Sequence, residues 1–228
     1  MYTLYIANKN YSSWSLRPWA VMTELGIPFE ENLVVFADGP NWEEFRKFSP
    51  SGLVPCLKDG EVTIWESLAI VEYLAERHPG VWPEDAVARA WARSATAEMH
   101  GGFSALRNQC SMTCGQRVQL HEFGDSLKKD LDRLQELWTE GLGNFGGPFL
   151  TGQSFTAVDA FYAPVAFRIQ TYGLPLKDKS AAYVQSLLNT DSIQAWYEEA
   201  LKEPWREAAH EEEIAAVGTV IADYRTTD

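Results

Sequence analysis

Aromatic and aliphatic residues crowd positions 2–7, Tyr2-Thr3-Leu4-Tyr5-Ile6-Ala7, a run that suits a half-buried strand. After the polar turn Asn8-Lys9-Asn10-Tyr11-Ser12-Ser13, the residues Leu16, Trp19, Ala20 and Thr23 recur at helical spacing. This predicts a helix over 14–25, stopped by Gly26 just past its end. A second strand is expected over 29–36, then a short helix over 41–48 that presents Trp42, Phe45 and Phe48 and must end before Pro50. Residues 54–57 and 61–65 flank Asp59-Gly60, a two-residue hairpin signal because both positions accept positive φ. A helix over 67–77 closes the unit. The order β-α-β-α-β-β-α predicts a mixed four-stranded sheet with helices packed on it.

Pro79, Gly80 and Pro83 then punctuate a linker, beyond which the period changes. An Ala-rich helix is expected over 86–106, with Ala92, Ala95, Met99, Phe103 and Leu106 on one face. Phe123, Leu127, Leu131, Leu134 and Trp138 repeat the signal in the next helix. Phe155-Thr156-Ala157-Val158-Asp159 reads as a capped helix start, with Asp159 returning a bond to the Thr156 amide. Pro164 should kink the apolar helix that follows. A terminal helix over 203–221 and a polar tail from Arg225 complete the reading. The chain thus divides into an α/β unit over 1–78, a linker over 79–85 and an all-α unit over 86–228.

Composition narrows the functional classes. The 228 residues carry 19 Lys+Arg against 32 Asp+Glu, a net charge of −13 that disfavours nucleic acid and anionic membranes, both of which call for clustered cations. No apolar run reaches the ~18–20 residues of a membrane span, and the first residues do not resemble a signal peptide, so a cytoplasmic protein is expected. Cys56, Cys110 and Cys114 match no zinc or dithiol spacing, although Cys110 and Cys114 are four apart and could share a helix face. His78, His100, His121 and His210 are scattered, and no metal site is expected.

Three segments could carry chemistry. Ser12 and Ser13 stand at the start of the first helix, where a hydroxyl and the free amides attract an anion; an ordinary N-cap has the same appearance. No Gly-x-Ser-x-Gly elbow surrounds them, which gives a hydrolase no local support. In the loop 48–55, Pro55 occupies a position where a strand needs its amide, which suggests a bend or a cis peptide and frees the Val54 backbone to pair with an extended ligand. Glu66-Ser67 places a carboxylate and a hydroxyl at another helix start, a pairing suited to an amino-acid head group.

Taken in order, Ser12-Ser13-Trp14-Ser15-Leu16-Arg17-Pro18, Ser49-Pro50-Ser51-Gly52-Leu53-Val54-Pro55, Trp65-Glu66-Ser67-Leu68-Ala69-Ile70 and Thr156-Ala157-Val158-Asp159 resemble the cytosolic glutathione transferases over nearly the whole chain. The serine pair is most similar to the bacterial-type, serine-dependent, zeta-related members, whose Ser-Ser-Cys-Ser-Trp-Arg pattern differs at Trp14 and Leu16. The resemblance implies a thioredoxin-like N-terminal domain and an all-helical C-terminal domain. It also implies glutathione as cosubstrate, with Val54 pairing the cysteinyl backbone, Pro55 cis, Glu66 and Ser67 on the γ-glutamyl end, and Arg17 beside the thiolate or the fold. Ser12 is the first choice for the thiol-activating hydroxyl and Ser13 the second.

The implied activity is attack of a glutathione thiolate on a small, largely apolar electrophile. The electrophile pocket is expected along the first long helix of the second unit, at Met99, His100, Phe103, Arg107 and Cys110, where Gly101-Gly102 permits close approach. A homodimer is implied as well. A glutathione-dependent isomerase or peroxide reductase on the same fold, and a non-catalytic glutathione binder, are the alternatives.

Overall fold

The structure is a computed structural model and describes residues 1–36 and 41–226. The N-terminal part runs β1 (Tyr2–Ile6), α1 (Ser13–Glu24), β2 (Phe29–Leu33), α2 (Trp42–Phe45), β3 (Cys56–Asp59), β4 (Val62–Trp65) and α3 (Ser67–Ala75). The sheet order is β2-β1-β3-β4, with β1 and β2 parallel and the other pairs antiparallel. Leu4 and Ile6 alternate onto the inner face of β1 and are fully buried with Leu57 of β3, Leu16 and Ala20 of α1, and Ile70, Val71 and Leu74 of α3. β3 begins two residues later than the pattern suggested, because Pro55 has no amide to give the ladder. β2 stops at Leu33 and α2 is a single turn, both shorter than expected.

The C-terminal part is mainly helical: α4 (Ala86–Gly101), α5 (Ser104–Gln109), α6 (Asp125–Phe145), α7 (Ala157–Tyr172), α8 (Asp178–Leu188), α9 (Asp191–Lys202) and α10 (Ala208–Val217). It also carries a two-stranded antiparallel ladder that the sequence did not announce, β5 (Gln116–Leu120) with β6 (Gly218–Asp223). α7 is its centre, with every residue but Gln170 buried. The Thr156/Asp159 capping box is present, and Asp159 also accepts from the Leu150 amide and the Tyr183 hydroxyl, each at 3.0 Å. α7 runs through Pro164 as one element.

Three expectations need correcting. The single helix over 86–106 is two, because the chain breaks at Gly102-Phe103: Phe103 is left-handed at φ 55, and a Cβ on Gly102 would stand 2.6 Å from the Glu98 carbonyl oxygen. The glycine there serves a close approach of backbone rather than of ligand. Cys110 lies at the end of α5 and Cys114 beyond it, so the two share no helix face; both thiols are free and buried. The terminal helix ends at Val217, where β6 takes over, and Arg225 is buried rather than part of a polar tail. Thr227 and Asp228 of that tail lie outside the described residues.

The two parts are joined by buried polar contacts. The Lys9 ammonium pairs with Glu31 at 2.8 Å and with Glu199, and sits over the Trp19 and Trp196 rings. Glu203 accepts from the Lys9 and Asn10 amides at 2.6 and 3.1 Å. These contacts fix the turn that leads into α1.

Candidate active site

Ser12 is the N-cap of α1 and Ser13 its first residue, so both stand where amides of the first turn have no intrahelical partner and the helix end is positive. Their hydroxyls differ. Ser12 Oγ donates to Ser15 Oγ at 2.7 Å, and Ser15 Oγ in turn accepts from the Ala7 amide at 3.3 Å. The Ser13 hydroxyl makes no hydrogen bond among the described residues, and Ser12 and Ser13 both border a cavity of about 430 Å³. Trp14, Phe36, Phe45, Leu53 and Val54 supply the N-terminal wall of this cavity. Arg107, Asn108, Ser111, Met112, Arg168, His210 and Glu213 supply the opposite wall.

A second cavity of about 300 Å³ shares Trp14, Leu53 and Val54 with the first and adds Ser51, Pro55 and Glu66. The Val54–Pro55 peptide is cis. Val54 precedes the ladder, and its backbone groups have no hydrogen bond among the described residues. Glu66 is held at φ 70 as the residue before α3, a left-handed conformation costly for a side-chain-bearing residue, and its carboxylate is exposed. Ser67, the first residue of α3, is fully buried.

Against Trp14, which borders both cavities, lies a guanidinium with no carboxylate in ion-pairing distance among the described residues. Arg17 is 1% exposed, donates to Ser67 Oγ at a long 3.4 Å, and stacks on the Trp14 and Phe161 rings at 3.9 and 4.8 Å. Its Nε has no hydrogen-bond partner among the described residues. Burial, followed by the charges of Arg168 and Arg107, holds its pKa well below the usual arginine range. His100 lies edge-on to Trp14, 4.0 Å from Glu66. Its pKa is lowered by burial and by the Arg17 charge, against the opposing effect of Glu66.

The structure sorts the residues expected in the second-substrate pocket. Arg107 borders the large cavity; Met99 is fully buried in the core, Phe103 is buried at the break before α5, and His100 faces Trp14 and Glu66 instead. Cys110 is buried, and burial raises its thiol pKa to about 12. Sequence reasoning missed Arg168, His210 and Glu213. Arg168 had a signal, being the one charged residue between Ala160 and Ile169 in an apolar helix. His210 and Glu213 had none, because only the return of the chain through α10 brings them to the cavity.

Two family models cover most of the chain: the glutathione S-transferase N-terminal domain matches residues 11–77 and the C-terminal domain residues 84–208. Human glutathione S-transferase theta-1 is 27% identical over 194 residues, 77% of this chain and 80% of that protein. Dichloromethane dehalogenase of Methylorubrum extorquens is 48% identical over 61 residues, which cover 26% of this chain and only 21% of that relative. Among solved structures, a glutathione transferase homologue from Burkholderia with bound glutathione superposes with a TM-score of 0.68 at 23% identity, over 87% of this chain and 97% of the other.

Proposed function

Since the chain belongs to the glutathione S-transferase family, whose cosubstrate is glutathione, we propose that it activates the glutathione thiol for attack on a small electrophile, with Ser13 as the activating hydroxyl. The observation that carries this reading is the unengaged Ser13 hydroxyl, placed at the N-terminus of α1 on the wall of the large cavity. Ser12, the first choice on sequence grounds, already spends its proton on Ser15.

The residues fit the tripeptide. Val54 offers an unpaired backbone N–H and C=O for an extended peptide, Glu66 an exposed carboxylate for an ammonium, and Ser67 with the first amides of α3 a seat for a carboxylate. The orphaned Nε of Arg17 next to Ser67 adds positive charge to that seat. Glutathione supplies the nucleophilic sulfur. The chain's part is to favour the thiolate: a thiol of pKa about 8.5 brought down about two units requires about 2.7 kcal/mol. One hydrogen bond to a charged acceptor gives about 1.5–3 kcal/mol and a helix N-terminus roughly 0.3–1, so Ser13 and α1 suffice without a general base.

The apolar surface of Trp14, Phe36, Phe45 and Met112 would receive the body of the electrophile. A relative named for dehalogenation supports halide as a leaving group. The working form is read as a cytoplasmic homodimer, with the N-terminal part as the glutathione-binding domain and the helical part as the electrophile-binding domain. The test is turnover and glutathione affinity in Ser13→Ala and Ser12→Ala. Ser13→Ala is expected to lower kcat about 10–100-fold while glutathione still binds. Full activity in Ser13→Ala would refute the assignment, and product analysis with a cis-trans substrate pair would reveal an isomerase.

A further inference from the structure

The large cavity holds two arginines that the proposed thiol chemistry does not use. Arg168 is 5% exposed; its Nε donates to the Cys110 carbonyl at 2.7 Å and its Nη1 to the Pro164 carbonyl at 3.2 Å. Nη2 has no hydrogen-bond partner among the described residues, and Arg168 borders the cavity. Arg107 reaches the same cavity from α5, with Nη1 on the His100 carbonyl at 3.2 Å. Neither guanidinium has a carboxylate within ion-pairing distance among the described residues. Glu213 also borders the cavity, but it accepts the Ser111 hydroxyl at 2.7 Å; His210 is paired with Glu207 at 2.6 Å.

Arg168, a buried cation that makes only carbonyl contacts, is costly unless something neutralises it, Arg107 is half-buried and otherwise only lies 5.5 Å over the Trp14 ring, and a molecule of net charge −13 has carboxylates to spare for the purpose. Elsewhere the chain does supply them: Arg225, also buried, is paired with both Glu211 and Asp223. Arg107 and Arg168 are therefore left available on a wall that faces Ser13 across the cavity. Guanidinium N–H groups bind carboxylates through charge-assisted hydrogen bonds about twice as strong as neutral ones. We propose that the second substrate is an electrophile bearing a carboxylate, or an equivalent anionic group, which Arg107 and Arg168 hold while Trp14, Phe36 and Phe45 cover its apolar body.

This inference rests on the transferase reading and adds the substrate class to it. In the reaction with a carboxylated aryl chloride, a C–S bond forms at the ring carbon as the C–Cl bond breaks. Chloride leaves with the bonding pair, and the thiol proton passes to water.

The experiment has a binding arm and a kinetic arm. Quenching of tryptophan fluorescence, to which Trp14 in the cavity wall contributes among nine tryptophans, gives the affinities of 4-nitrobenzoate and its neutral isostere 4-nitrobenzamide in the absence of glutathione. The kinetic arm compares kcat/KM for 4-chloro-3,5-dinitrobenzoate and the matching benzamide with glutathione. Wild type is expected to favour the carboxylate at least tenfold in both arms, and Arg107→Gln, at a half-exposed position, to lose most of that preference. Arg168→Lys, which keeps the charge but not the fork, should lose part of it; Arg168→Gln is added if it folds.

Equal affinity of wild type for the two nitroarenes would overturn the proposal. So would a loss in Arg107→Gln that falls on glutathione affinity while the substrate preference survives, since the guanidiniums would then serve the tripeptide. A carboxylate preference in a protein that takes up no glutathione by calorimetry would refute the transferase reading and leave the anion site standing.

Discussion

Ser12 and Ser13 are adjacent residues of one type at one helix end, yet a single hydrogen bond separates their chemistry. Ser12 is tied to Ser15 and so shapes the turn; Ser13 keeps its proton for whatever enters the cavity. The same logic distinguishes the arginines. Arg225 is matched by two carboxylates, whereas Arg17 has only the Ser67 hydroxyl and two aromatic faces. Replacing Arg17 with Lys would remove the planar stacking on Trp14 and the reach to Ser67. Glutathione affinity in Arg17→Lys is expected to fall about tenfold, with a smaller change in kcat; an unaltered Kd by calorimetry would show that Arg17 serves the fold alone.

At the scale of elements, α7 depends on Asp159. Its carboxylate gathers the Leu150 and Thr156 amides and the Tyr183 hydroxyl, and removing it would leave all three donors buried and unpaired. Asp159→Ala is therefore expected to cost about 3 kcal/mol or more in urea denaturation, read at the tryptophans. Burial pushes the Asp159 carboxyl up to about 6 from an ordinary value near 3.8. The native state thus binds this proton more tightly than the unfolded chain does, so the stabilisation is full below pH 4 and lost as pH rises toward 6. Subtracting the pH profile of Asp159→Asn from that of wild type should expose a decline of roughly 3 kcal/mol across that window; a rise instead would mean that the carboxylate's hydrogen bonds outweigh its burial.

The capping box was legible in the sequence because its partners lie three residues apart, and the hairpin because Asp59-Gly60 has few other uses. The β5–β6 ladder was not, since Gln116–Leu120 and Gly218–Asp223 are paired from opposite ends of the helical part. Ser12 and Ser13 were visible as a pair, but which of them is engaged depends on where Ser15 turns, and that is a tertiary fact.

The whole molecule holds its site through contacts between distant parts of the chain. The turn before α1 is clamped by Lys9 against Glu31 and Glu199, by Glu203 on two amides, and by Tyr11, which donates to Glu211 at 2.5 Å and accepts from Arg225 at 2.8 Å. Lys9→Met would leave two partly exposed carboxylates that water can reach, so the expected cost is about 2 kcal/mol by thermal or urea unfolding, below that of a fully buried broken pair. These clamps make the position of Ser13 a property of both parts of the fold. The expectation is that this position makes a thiolate of bound glutathione. Its most direct test is the ultraviolet absorbance of protein-bound glutathione near neutral pH, titrated in wild type, Ser12→Ala and Ser13→Ala. A thiolate band with an apparent pKa below about 7 is expected in wild type and Ser12→Ala, displaced upward by about one to two units in Ser13→Ala. An unshifted band in Ser13→Ala, or bound glutathione that ionises as it does in water, would contradict it.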